Sequence, residues 1–160
     1  MSKFMQILES SSKDTGSKVF GKMSWDSKYK TYSKTYKLDF FGKTYTVSLE
    51  IDAVDDDGTI SSKQEDMFTK FEKNIRDYNN KAFRALISHI DRLGDYKDYF
   101  DNRPIPKADK EMGDIVTPKQ VIINGERNLI IYCNAKWDNE HGVTIQILPS
   151  IDCGDLGKFY

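Results

Sequence analysis

The stretch from Asn128 to Pro149 most constrains what this chain can fold into. Two apolar runs, Leu129 to Cys133 and Val143 to Leu148, flank the polar segment Asp138-Asn139-Glu140-His141-Gly142. β-Branched and aromatic residues in such runs suit a pleated, half-buried surface, and Gly142 can take the positive φ that a tight reversal often needs. The stretch predicts a β-hairpin that reverses across Asp138 to Gly142. In its second arm Val143, Ile145 and Ile147 alternate with Thr144, Gln146 and Leu148, which predicts one buried face and one mostly wet face.

The rest of the chain supplies the partners for that hairpin. Lys18 to Trp25 is expected to form a first sheet strand. Thr31 to Phe41 places Tyr32, Tyr36, Leu38 and Phe40 on one face, and Thr44 to Ala53 does the same with Tyr45, Val47, Leu49, Ile51 and Ala53. The short connection Phe41-Gly42-Lys43 makes these two strands antiparallel neighbours. Ser61 or Ser62 can cap a helix, with Glu65 three residues after Ser62 as a capping box requires. Phe71, Ile75, Tyr78, Ala82, Leu86 and Ile90 then recur at helical spacing, with Asn79-Asn80 as a potential break and Gly94 as a stop. Tyr96 to Phe100 extends this as a helical tail or turn. Pro118 bars a central strand position, so only Val121 to Ile123 suits a short strand, followed by an Asn124-Gly125 turn that Glu126 to Asn128 can lengthen. The expected fold is α+β: an antiparallel sheet of N-terminal strands plus the C-terminal hairpin, packed by one long or two consecutive helices. One domain spanning 1–160 is expected, with a flexible segment over 1–17 that includes Phe4, Met5, Ile7 and Leu8.

Charge narrows the partners. The 24 basic and 25 acidic residues nearly cancel, whereas a general nucleic-acid binder carries a basic excess. The balance is uneven along the chain: residues 1–50 hold nine Lys and no Arg against five acids, and the remainder is acidic. Cys133 and Cys153 lack the spacing of a zinc or redox pair. The N-terminus lacks the apolar core of a signal peptide and no run reaches the ~18 apolar residues of a membrane span. A cytoplasmic location, with neither membrane nor nucleic acid as partner, is the expectation.

The candidate chemistry lies in two polar clusters. Asp55-Asp56-Asp57-Gly58 resembles part of a calcium loop, but with Gly58 at the sixth position Ala53 stands first and Gln64 twelfth, where ligating carboxylates belong. It reads as an acidic turn feeding a helix. Trp137-Asp138-x-Glu140-His141-Gly142 gathers the other candidates. Ile145 stands where a zincin would carry its second His, and His89 lies apart in the helical run, so neither metal nor cofactor is expected. Asp138, Glu140 and His141 can shape the turn, contact a partner, or act as a metal-dependent hydrolytic centre.

The Ser61-Ser62-Lys63-Gln64 helix start, the aromatic Tyr96 to Phe100 segment and the Trp-Asp-x-Glu-His-Gly signature resemble small bacterial domains of unknown function. Some of those are encoded beside polymorphic toxins and are regarded as immunity proteins. The resemblance implies a non-enzymatic protein that binds a cognate toxin and occludes its active site. Asp55, Asp56, Asp57, Trp137, Asp138, Glu140 and His141 are the candidate contacts. A hydrolase centred on Asp138, Glu140 and His141, or a structural protein that self-associates through a strand edge, are the alternatives.

Overall fold

The computed structural model describes residues 10–160. Those residues form one eight-stranded sheet in which the strands lie side by side in chain order. The strands are β1 (Ser10–Asp14), β2 (Lys22–Asp26), β3 (Thr31–Phe40), β4 (Lys43–Asp52), β5 (Val116–Asn124), β6 (Asn128–Ala135), β7 (Asp138–Leu148) and β8 (Asp152–Gly154). Every neighbouring pair is antiparallel except β4 and β5, which run parallel with Ser48 opposite Gln120 and Ile51 opposite Ile123. A parallel pair needs a long crossover. That crossover holds helices α1 (Ser62–Lys73) and α2 (Ile75–Ile90), a 3₁₀ segment (Gly94–Phe100) and the short α3 (Asp109–Ile115). A last turn of helix, α4 (Leu156–Phe159), follows β8. The expected α+β class and helix-covered sheet are present, with two consecutive helices dividing at Asn74 rather than at Asn79-Asn80.

The alternating apolar residues of the strands face these helices. Tyr32, Leu38, Phe40, Val47, Leu49 and Ile51 from the N-terminal half join Val121, Ile123, Ile131, Val143, Ile145 and Ile147 in one core. Phe68, Phe71, Tyr78, Ala82, Leu86 and Ile90 close it from the helices. Ile75 is only half-buried at its margin. The cap of α1 is Ser61 rather than Ser62, and its reciprocal partner is Gln64: Gln64 N donates to Ser61 Oγ and Ser61 N donates to Gln64 Oε1.

The β3–β4 turn is a two-residue reversal in which Phe41 and Gly42 both take positive φ, +46° and +72°. A mirror-image turn of this kind matches strand twist, but an aromatic residue resists its first position. Phe41 is held there because its ring is fully buried and its N–H donates to Asn79 Oδ1 at 2.6 Å. Asn79 is thereby buried as a structural link, and Asn80 beside it stays exposed.

Four expectations are revised. The hairpin reverses at Lys136–Trp137, and Asp138 to Gly142 instead forms the start of β7, where the register jumps. The second face of β7 is not wet: Leu148, past a register shift opposite Leu129 and Ile130, is buried in the main core, and Thr144 is fully buried on the side where α4 meets β7. Ile122, Ile130 and Phe159, with Leu156, make a small second cluster there. Pro118 does stand within a strand, but β4 pairs only with Gln120 to Ile123, so around Pro118 the strand is bonded on the β6 side alone and no ladder donor is missed. Within the segment 1–17, Ser10–Asp14 is an edge strand paired with β2, Thr15 and Ser17 are buried, and Ser17 Oγ donates to Glu65 at 2.7 Å. The apolar residues Phe4, Met5, Ile7 and Leu8 lie outside the described residues.

Leu86 on α2 is fully buried among both halves of the sheet. Leu86→Ala should therefore cost about 2–5 kcal/mol of unfolding free energy, read by urea denaturation with an unchanged slope.

Candidate functional site

The strand register places the two expected clusters at opposite ends of the sheet. Asp55, Asp56 and Asp57 follow the C-terminal end of β4, next to the end of β5, whereas Lys136–Trp137 joins β6 and β7 at the start of β5. One site cannot use both.

At the first end, Asp55 is a turn residue. Its Oδ1 accepts the N–H groups of Asp57 and Thr59, each at 3.0 Å. Hydrogen bonding from Thr59, followed by these backbone donors, holds its carboxyl below the usual carboxylate range. Gly58 packs inward, its carbonyl accepting from Tyr32 Oη at 2.7 Å. Lys13 Nζ donates to the Asp57 carbonyl and stands 4.5 Å from the Trp25 ring centroid. The exposed backbone turn therefore presents the carboxylates of Asp56 and Asp57 on a fixed base.

At the other end the signature residues are mostly structural. Trp137 is buried, with ring centroids 6.3 Å from His89 and 6.0 Å from Phe100. Asp138 Oδ1 accepts from His141 N at 3.1 Å and lies 3.3 Å from His141 Nδ1, so one carboxylate both spans and stiffens the bulge. Cys133 pairs with Val143 and Ala135 with Asp138, which sets the four residues Asn139 to Gly142 against the single Asn134 in a wide bulge. Gly142 takes φ +65°, and a Cβ there would collide with the Cys133 carbonyl oxygen. Of the candidate residues here, Glu140 and His141 project freely beside the exposed Asn139, with side chains 86% and 58% exposed. Their separation of 4.0 Å from Glu140 Oε1 to His141 Nε2 brings the sequence-expected trio together, but on an open bulge. No group of three or more metal-ligating side chains is assembled among the described residues.

Sequence reasoning missed two groups of residues. Tyr96, exposed on the 3₁₀ segment, stands beside Asp138, whose charge pushes the phenol up. The second group lies on the outward sheet face, where Asp26, Glu50 and Asp52 share a hollow with Tyr29 and Tyr160. The period-two pattern marked Glu50 and Asp52 as outward, yet nothing in it could bring a C-terminal tyrosine above them.

Two measurements check this geometry. Gly142→Ala should lower stability by at least about 1–2 kcal/mol for the left-handed backbone alone, with the carbonyl collision adding to it. Thermal and urea unfolding of that variant give the answer. His89 is held below the usual histidine range by burial first and by Arg92 second. Its folded pKa being the lower, the unfolded chain binds the proton first as pH falls. Stability contributed by neutral His89 is thus full above about pH 6.5 and is lost as pH falls from there through the lower folded value. His89→Leu should flatten the stability–pH curve in that window.

No helix among the described residues is long and apolar enough to cross a membrane. Neither the curated proteins nor the solved structures hold a match to this chain. A family model does match, over residues 19–150, which takes in every strand from β2 to β7 and all the crossover helices. On that match the chain belongs to the family described as Domain of unknown function (DUF6985).

Proposed function

We propose that this chain is a non-enzymatic protein-binding domain, an immunity protein that neutralises a cognate toxin in the cytoplasm by covering its active site. The observation that carries the reading is the acidic sheet end, where Asp56 and Asp57 are exposed on a turn braced by Asp55 and Gly58. Preformed, exposed carboxylates steer a basic partner into contact and raise its association rate. A nuclease, with a basic substrate site, is the toxin class this surface suits. The resemblance of the Trp137 to Gly142 signature to toxin-linked domains supports the same reading.

Hydrolysis at Asp138, Glu140 and His141 draws less support. Such a centre works through desolvation and fixed geometry. Here Glu140 stands in solvent, and the Asp138 oxygen nearest His141 already accepts a backbone N–H.

The decisive experiment co-expresses the chain with each toxin-like protein encoded beside it and scores growth. Rescue by the parent chain is expected, and failure with every neighbour removes the toxin reading. With a partner in hand, Asp56→Asn/Asp57→Asn should slow association several-fold at low salt and flatten its salt dependence, Asp55 being kept because it holds the turn. An unchanged rate would make the loop a solvated turn. A loss seen only in Glu140→Gln/His141→Ala would move the contact to the bulge.

A further inference from the structure

The two faces of the sheet are unequally covered. All of the crossover helices lie on the inner face, and α4 shields the outward side of β5 and β6 around Ile122 and Ile130. The outward side of β2, β3 and β4 has no such cover among the described residues. It presents Lys22, Ser24 and Asp26 from β2, and Thr31, Ser33 and Thr35 from β3. Ser48, Glu50 and Asp52 from β4 stand in the same plane.

At the end of this bare face the side chains form a hollow of about 420 Å³. Asp26, Thr31 and Asp52 stand in one cross-strand row, because Asp26 pairs with Thr31 and Thr31 with Asp52. Glu50 lies two residues back on the same strand, in the next row, opposite Ser33. Thr31 Oγ1 donates to Asp52 Oδ1 at 3.0 Å, Tyr160 Oη donates to Asp52 Oδ2 at 2.9 Å, and Gln120 Nε2 donates to Glu50 Oε2 at 2.9 Å. These bonds fix the carboxylates without neutralising them. Among the described residues none of Asp26, Glu50 and Asp52 forms a salt bridge. Half-burial, and then the charge of Asp52, push the Glu50 carboxyl up, and burial with the Asp52 contact pushes the Tyr160 phenol up to about 12. Burial is the larger cause in both, and the neighbouring carboxylates add to it.

Two rings flank the hollow, Tyr29 with 68% and Tyr160 with 55% of its surface exposed. Among the described residues they are two of the few large hydrophobic side chains left in solvent, and both stand on an otherwise polar face. The Tyr29 ring already draws a cation, since Lys28 Nζ lies 5.1 Å from its centroid. Carboxylates at the base and aromatic rings at the side make the environment that receives a planar guanidinium, which bonds carboxylates in a fork and stacks on tyrosine.

We infer that the outward face of β2–β4 is a docking surface for an arginine side chain of a partner protein, seated between Tyr29 and Tyr160 over Asp26, Glu50 and Asp52. The inference rests on the protein-binding reading for its partner, and it assigns the contact to a face that the signature does not touch. Arginine fits better than lysine, because Glu50 and Asp52 are about 7 Å apart along one strand and a fork can address both. The acidic turn at Asp56 and Asp57 lies at the same sheet end, so a basic segment steered by the turn arrives at the hollow.

The test titrates the full chain with acetyl-Gly-Arg-Gly-amide, using the corresponding Lys and Glu peptides as controls, and follows backbone amides by NMR. Saturable shifts clustered at Thr31, Ser33, Glu50 and Asp52 are expected, weaker for Lys and absent for Glu. Glu50→Gln/Asp52→Asn should weaken arginine binding about tenfold or more. Tyr29→Ala, whose ring supports no core packing, should weaken it several-fold at an unchanged melting temperature, and it decides the matter if the double variant unfolds. Non-saturating shifts scattered over the exposed acids of Asp55–Asp57 and Asp95–Asp101, or full affinity in Tyr29→Ala, overturn the site. The toxin assay is separate. A chain that binds the arginine peptide here but rescues no growth loses the toxin reading and keeps the docking surface. Full rescue by a folded Glu50→Gln/Asp52→Asn chain does the reverse.

Discussion

The parallel pairing of β4 with β5 is the constraint on which the rest of this structure depends. Parallel neighbours cannot be joined by a hairpin, so the chain must leave the sheet after Asp52 and return at Val116. Everything helical that covers the core is spent on that excursion. One buried amide secures its start. Gln64 is fully buried, caps α1 through Ser61, and donates Nε2 to the carbonyls of Asp52 at 2.6 Å and Gly125 at 3.0 Å. The end of β4, the β5–β6 loop and the first turn of the helix are thus joined through one side chain. Removing it would leave three part-buried backbone groups, Ser61 N and the carbonyls of Asp52 and Gly125, without this partner, and a desolvated group left unpaired costs more than its bond contributes.

Because the crossover lies on one side only, the two sheet faces have different fates. The inner face is a packed core of aliphatic and aromatic residues from both halves of the chain. The outward face needs no core, so it can carry Ser, Thr and carboxylates over β2 to β4, and only the small Ile122, Ile130 and Phe159 cluster is sealed by α4. Among the described residues nothing packs on this face of β2 to β4, which leaves it free to serve recognition. Exposed acids gathered at one sheet end, with two tyrosines standing in solvent, fit that use.

The most recognisable run of the sequence has a different role. Trp137 fills a space between His89 and Phe100, Asp138 closes the bulge through the His141 amide, and Gly142 accepts a backbone conformation that brings it against Cys133. Such residues are constrained by the fold, whatever the protein does. A short motif rich in Asp, Glu and His can therefore mark a strained piece of sheet as readily as a reactive centre.

Local pattern alone determined the strands β3 and β4, the turn at Gly42, the helical stripe from Phe71 to Ile90 and the existence of the final hairpin. Each is written in the two- or 3.6-residue spacing of neighbouring side chains, which needs no knowledge of distant partners. Tertiary structure decided what depends on such partners. Phe41 is tolerated with positive φ only because Asn79 and the core hold it, and Pro118 sits in a strand only because β4 stops short of it. The hairpin turned at Lys136–Trp137 because burying Trp137 against α2 and the 3₁₀ segment outweighed the turn preference of Asp138 to Gly142. The candidate docking face was equally out of reach of pattern. Asp26, Glu50 and Tyr160 are far apart along the chain, and only the strand register and the closing contact of Tyr160 with Asp52 bring them together.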